Sequence, residues 1–149
     1  MRPMASVKIR RLSEADVPAA EKIERTITKS PRTSPLGRNI REQLKHGSAD
    51  ACLAAEVDGA FAGFIVGDVR PWEFGEDREV GWIKTVGVDP AFQGHGVGKA
   101  LGEALLKHFK EKGITIVRTL VEWHSGDMIA YFKSIGFDRS DLIPLERRV

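Results

Sequence analysis

The segment Val86-Gly87-Val88-Asp89-Pro90-Ala91-Phe92-Gln93-Gly94-His95-Gly96-Val97-Gly98-Lys99-Ala100-Leu101 constrains the fold more than any other part of the chain. An apolar strand runs through Asp-Pro into a loop with glycine at three alternate positions, and a long amphipathic helix begins at once. Glycine lets the backbone turn sharply and leaves no Cβ between its N–H groups and a ligand. The first N–H groups of the helix lack internal partners and carry the positive end of its dipole. A phosphate or pyrophosphate suits such a corner.

Register decides which phosphorylated ligand to expect. A P-loop needs Gly-x-x-x-x-Gly-Lys-Ser/Thr, but ending it at Gly98-Lys99 puts Gln93 at the first glycine and Ala100 at the hydroxyl. A dinucleotide fingerprint needs Gly-x-Gly-x-x-Gly, and its third glycine falls on Lys99 or Leu101 in the two available registers. Neither motif fits.

Gln93-Gly94-His95-Gly96-Val97-Gly98, preceded by Val86-x-Val88-Asp89-Pro90, resembles the acetyl-CoA-binding motif of the GNAT family of N-acetyltransferases. Phe132-Lys133-Ser134-Ile135-Gly136-Phe137 is similar to that family's late aromatic-x-x-x-Gly-Phe segment, and Val7 to Asp16 to its opening strand and helix start. The resemblance implies a mixed α/β fold, with a largely antiparallel central sheet flanked by helices. It also implies an enzyme that moves an acetyl group from acetyl-CoA to an amine acceptor by direct transfer in a ternary complex. The strand edge at Val86, Gly87 and Val88 would then pair with the pantetheine amides, and a backbone N–H near Val86 would serve the oxyanion. N–H groups from Gly94 to Lys99 would hold the pyrophosphate.

Composition adds limits of its own. With 149 residues the chain is most simply one domain, 1–149, large enough to bury a substantial core. Hydrophobic residues at 42% and charged residues at 30% describe an ordinary globular protein, and a net charge of +2 is too small to argue for nucleic acid. Cys52 is the only cysteine, which excludes an internal disulfide and a cysteine-based zinc cluster. Its apolar setting, Ala51 to Ala55, predicts a buried, inert thiol rather than a nucleophile. No metal is implied. Met1 to Ile9 lacks the apolar core of a signal peptide and no stretch is long enough to span a bilayer, so no membrane partner and a cytoplasmic location are expected. The resemblance admits a homodimer, which nothing in the sequence establishes.

Along the chain, Val7–Arg11 reads as a strand, and Ser13 with Asp16 as a cap for a helix over Ala15–Ile27. A Pro-containing loop, Thr28–Gly37, precedes a short helix capped by Asn39 and ending near Gly47. Ala51–Val57, Asp58-Gly59 and Ala60–Val69 form a hairpin signal, and Glu79–Val88 a further strand. Leu101, Leu105 and Phe109 make the apolar stripe of the helix after the glycine loop, which Gly113 stops. Ile114–Val121 predicts a strand covered on both faces, Ser125 or Asp127 caps a last helix, and Leu142–Arg147 is a candidate final strand.

The proton carriers depart from the resemblance. Many relatives carry Glu in the strand before the motif, where this chain has Trp82 and Lys84. Glu79 and Glu122 are the candidate substitute bases, although each taken singly reads more readily as a solvated strand-end carboxylate. The usual tyrosine acid falls on Phe132, and the adjacent Tyr131 either replaces it or packs in the core. Ser125 stands where an Asn often contacts the coenzyme, or is a helix cap alone. His124 is a further base candidate or a surface residue. His95 reads as a solvent-facing loop residue beside a phosphate, and Lys99 either charges that site or covers the helix start. Acceptor choice is assigned to Thr28–Gly47 and to the loop Arg70–Gly75, where Trp72 and Phe74 either line a pocket or only pack; nearby carboxylates favour a cationic amine. Two alternatives stay open: a coenzyme-binding module without transfer, and a different acyl donor.

Overall fold

The computed structural model describes residues 6–28, 35–71 and 77–149. It divides into two compact units, Met1–Thr119 and Leu120–Val149. In the first unit, Asp58 (φ 50°) and Gly59 (φ 80°) both take left-handed backbone, which suits a two-residue hairpin turn. They join β2 (Cys52–Val57) to β3 (Ala60–Arg70). β1 (Val7–Arg11) pairs antiparallel with β2, β4 (Val80–Val88) antiparallel with β3, and β5 (Val117–Arg118) parallel with β4. The sheet order is β1-β2-β3-β4-β5. This is the mixed, largely antiparallel α/β architecture that the sequence implies.

Helices cover both faces of the sheet. Ser13 and Asp16 form the expected capping box ahead of α1 (Val17–Thr28). Arg10 fixes Asp16 from the strand side with two hydrogen bonds of 2.8 Å. Those bonds hold the Asp16 carboxyl below the usual carboxylate range against the opposing effect of burial. Val17, Ala20 and Ile23 of α1, with Leu36 and Ile40 of α2 (Leu36–His46), pack on Cys52, Ala54, Phe64 and Val66. On the opposite face α3 (Val97–Glu111) buries Leu101, Leu105 and Phe109 completely. Glycine permits that close approach: a Cβ on Gly81 would lie 3.1 Å from the Phe109 ring, and one on Gly67 2.9 Å from the Ala51 carbonyl.

Three expectations need correction. Asn39 does not cap α2; Pro35 does, and Asn39 donates its N–H to the Pro35 carbonyl at 2.9 Å inside the helix. Burial of Leu36 and Ile40 at i, i+4 draws the helix one turn earlier. The strand expected over Ile114–Val121 shrinks to Val117–Arg118, both half-buried rather than covered. Beyond Ile83, whose carbonyl accepts the Thr119 hydroxyl at 2.9 Å, β4 bulges and the ladder stops. In the second unit, residues 142–147 form no strand, and Leu145 is 92% exposed. Pro144 removes a ladder donor there.

The second unit contains α4 (Gly126–Ser134). Gly136 takes φ 96°, which turns the chain back so that the Phe137 N–H bonds the Phe132 carbonyl at 3.0 Å. The two rings meet edge-on at 5.2 Å. That is the physical content of the late aromatic-glycine segment. No helix among the described residues is long and apolar enough to cross a membrane.

Candidate functional site

The end of β4 offers an open backbone edge. Asp89 donates its N–H to the Ala62 carbonyl of β3 at 2.8 Å. Backbone direction alternates along an antiparallel strand, so Gly87 also faces β3 while Val86 and Val88 face the other way. Among the described residues of this unit, no strand pairs with that other side beyond Trp82. The donors and acceptors of Val86 and Val88 thus stand at a sheet edge created where β4 and β5 part.

The chain then turns directly into α3. The Asp89 carboxylate accepts the Ala91 N–H at 2.9 Å and caps a short turn over Pro90–Phe92, closed by the Gln93 N–H on the Pro90 carbonyl at 3.3 Å. Gly94 (φ 84°) and Gly96 (φ 75°) are left-handed, which explains glycine at both positions. A Cβ at either would meet nothing within 4 Å, so the space over this loop is open. The first bond of the helix runs from the Ala100 N–H to the Gly96 carbonyl at 2.9 Å, and the Val97 and Lys99 N–H groups precede it without an acceptor in the helix. His95 is exposed, its ring edge-on to Phe92 at 6.4 Å. Lys99 is exposed and lies 4.0 Å from Glu103, one turn along the helix.

A second feature was not legible in the sequence. A cavity of about 390 Å³ lies between α1, α2 and the centre of β3 and β4. Leu36, Ile40 and Val66 give it apolar walls, while Glu24, Glu42 and Lys84 bring charge. Lys84 is the extra residue of the β4 bulge: Val66 pairs with Thr85 and Gly67 with Ile83, so Lys84 has no opposite partner. Gln43, only 5% exposed, donates to the Gly67 carbonyl at 3.1 Å and to Asp68 at 2.8 Å, and accepts from the Lys84 ammonium at 3.3 Å. Lys84 also lies 3.7 Å from Asp68. Burial opposes the charge on Asp68, but hydrogen bonds from Gln43 and the Val69 N–H, with the Lys84 charge, hold its carboxyl below the usual range. A lone carboxylate in the apolar run Ala60–Arg70 was the available sequence signal.

The other candidates fall in both units. Glu79 is exposed at the start of β4, roughly 20 Å of strand from Val86. Trp82 is buried with Arg70 over its ring at 5.4 Å. Glu122, His124 and Ser125 belong to the second unit; the first two are exposed, and Ser125 takes the cap position of α4 without a side-chain cap bond. Tyr131, also in α4, packs edge-on to Phe132 at 5.0 Å, and Phe132 is the buried member of that pair. Cys52 is fully buried, and burial pushes its thiol up to about 11. Trp72 and Phe74 lie outside the described residues. No group of three His, Cys, Asp or Glu among the described residues is placed to hold a metal ion.

The family model described as "Acetyltransferase (GNAT) family" matches residues 17–137. A mycothiol acetyltransferase of Saccharomonospora viridis is 39% identical over 105 residues, covering 66% of this chain and 34% of that protein. The chain spans between 31% and 42% of the length of the first curated relatives it matches. Among solved structures, Ard1 from Thermoplasma volcanium is 25% identical with a TM-score of 0.74, over 90% of this chain and 84% of that one. An aminoglycoside N-acetyltransferase in complex with CoA shares the fold at a TM-score of 0.78 and 18% identity, covering 99% and 98% of the two chains.

Proposed function

The chain belongs to the GNAT acetyltransferase family, and on that premise we propose that it transfers an acetyl group from acetyl-CoA to a primary amine in a ternary complex. The observation that carries this reading is the pairing of an open strand edge at Val86 and Val88 with the left-handed Gly94 and Gly96 at the start of α3. Val86 and Val88, on either side of Gly87, hold the pantetheine arm in extended form. Gln93, Gly94, His95, Gly96, Val97, Gly98 and Lys99 form the pyrophosphate site, which draws on N–H groups at the helix start and on the helix dipole. A backbone N–H at the strand edge steadies the carbonyl oxygen as it becomes negative. Ser125 is a further coenzyme contact in this reading. Direct transfer agrees with Cys52, whose buried, protonated thiol offers no nucleophile for an acyl-enzyme. The family match runs through both units, which supports one functional domain over 1–149.

The acceptor is a primary amine of a small molecule, a lysine side chain or a protein N-terminus. Its proton leaves through water to a carboxylate, with Glu79 and Glu122 as the assigned bases and Tyr131 as the acid for the departing thiolate. The decisive experiment is release of free CoA from acetyl-CoA with a mixed panel of amines. Amine-dependent release is expected; tight coenzyme binding with no release on any amine overturns the enzyme reading in favour of a binding module. Glu79→Gln, Glu122→Gln and Tyr131→Phe then locate the proton carriers. A loss below about threefold in all three, roughly 0.7 kcal/mol, removes these side chains from the chemistry.

A further inference from the structure

The cavity between α1, α2 and β4 is lined by two acidic residues and a lysine that pairs with neither of them, its ion pair being with Asp68. Glu24 and Glu42 line it and make no side-chain hydrogen bond or ion pair among the described residues. Lys84 lines the same cavity, but its ammonium is turned to Gln43 at 3.3 Å and to Asp68 at 3.7 Å. Two acidic residues and one lysine thus line a single space of about 390 Å³ without pairing with one another. Opposite charges left apart at a cleft are matched by a ligand that carries both signs.

The cation is held firmly. Gln43 is anchored by the Gly67 carbonyl and by Asp68, whose carboxylate is fixed in turn by the Ser48 hydroxyl at 3.2 Å and the Val69 N–H at 2.9 Å. An ammonium has three donors, and Gln43 and Asp68 engage it from one side. The Lys84 side chain remains 41% exposed. Lys84 also sits two residues before Val86, about 6–7 Å along the strand. An anion bound by Lys84 therefore places a neighbouring amine near the edge assigned to the thioester. The volume lies near the lower limit for small-molecule sites.

We propose that this cleft selects a small zwitterionic acceptor, an amine whose adjacent carboxylate binds Lys84 while the amine faces Glu24 and Glu42. Gln43 and Asp68 are positioning residues for Lys84. The inference rests on the acetyl-transfer reading and narrows its acceptor to amino-acid-like amines. A peptide N-terminus lacks the adjacent carboxylate, and a diamine puts a second cation against Lys84.

The test uses the full chain with acetyl-CoA and three acceptors: a neutral amino acid, its carboxamide and a linear diamine. The amino acid is expected to exceed its carboxamide in kcat/KM by about tenfold or more. Lys84→Met, checked for unchanged thermal unfolding, collapses that ratio through KM, and Lys84→Arg keeps most of it. Equal or better use of the carboxamide or diamine overturns the inference, as does a preference that survives Lys84→Met. Should no amine release CoA, the transfer reading fails, and calorimetric titration of the amino acid into the CoA-loaded protein decides the inference alone. Binding that disappears in Lys84→Met supports it; binding that is absent or indifferent to Lys84 overturns it.

Discussion

The glycine loop and the charged cleft lie along the same strand, yet they are built from different material. At Gly94, Gly96 and the Val86–Val88 edge the groups on offer are backbone N–H and C=O, set at the two glycines by φ angles that only glycine adopts cheaply. In the cleft they are the side chains of Glu24, Glu42, Gln43, Asp68 and Lys84, gathered from two helices and two strands. A site made of backbone tolerates change in neighbouring side chains but not in torsion. A site made of side chains tolerates nothing at its few positions and is free elsewhere.

The largest expected effect separates the two by sheet face. Phe109→Ala removes a fully buried ring of α3 and is expected to cost about 3–5 kcal/mol, measured by chemical denaturation. Gly96→Ala imposes about 1–2 kcal/mol of left-handed strain. Because space over Gly96 is open, that strain should appear as coenzyme binding weakened about tenfold. Gly126→Ala, with open space and no left-handed backbone, is the control and should change neither property. If Gly96→Ala binds coenzyme normally, backbone geometry does not govern the donor half.

On the side-chain half, Gln43→Leu removes two donors and one acceptor from a buried network and is expected to cost about 1–3 kcal/mol. Coenzyme affinity should stay unchanged, and a parallel loss of both would merge the two regions into one. The smallest effect is the pH response of the Arg10–Asp16 pair. Asp16 titrates lower folded than unfolded, so its contribution is present above about pH 4 and is lost as pH falls below that value. Asp16→Asn should flatten that acid slope in denaturant midpoints while leaving the loop and the cleft untouched.

The same division explains what could be read in advance. Hairpin, glycine loop, helix stripe and aromatic-glycine turn are local patterns, and each appears in the structure where its residues place it. Cys52 was also legible, since its apolar neighbours foretold burial. The truncated β5 was not, because its length depends on a bulge in another strand at Lys84. Nor was the cleft: Gln43 and Asp68 lie 25 positions apart, and nothing local announces that one anchors the other.

Amide hydrogen exchange with and without CoA tests the central claim most directly, because it reads the groups assigned to the donor. Slowed exchange is predicted at Val86 and Val88 and across Gly94 to Lys99, with little change at Gly87, whose N–H faces β3. Slowing confined to other segments, or none at these amides under saturating CoA, would contradict the account.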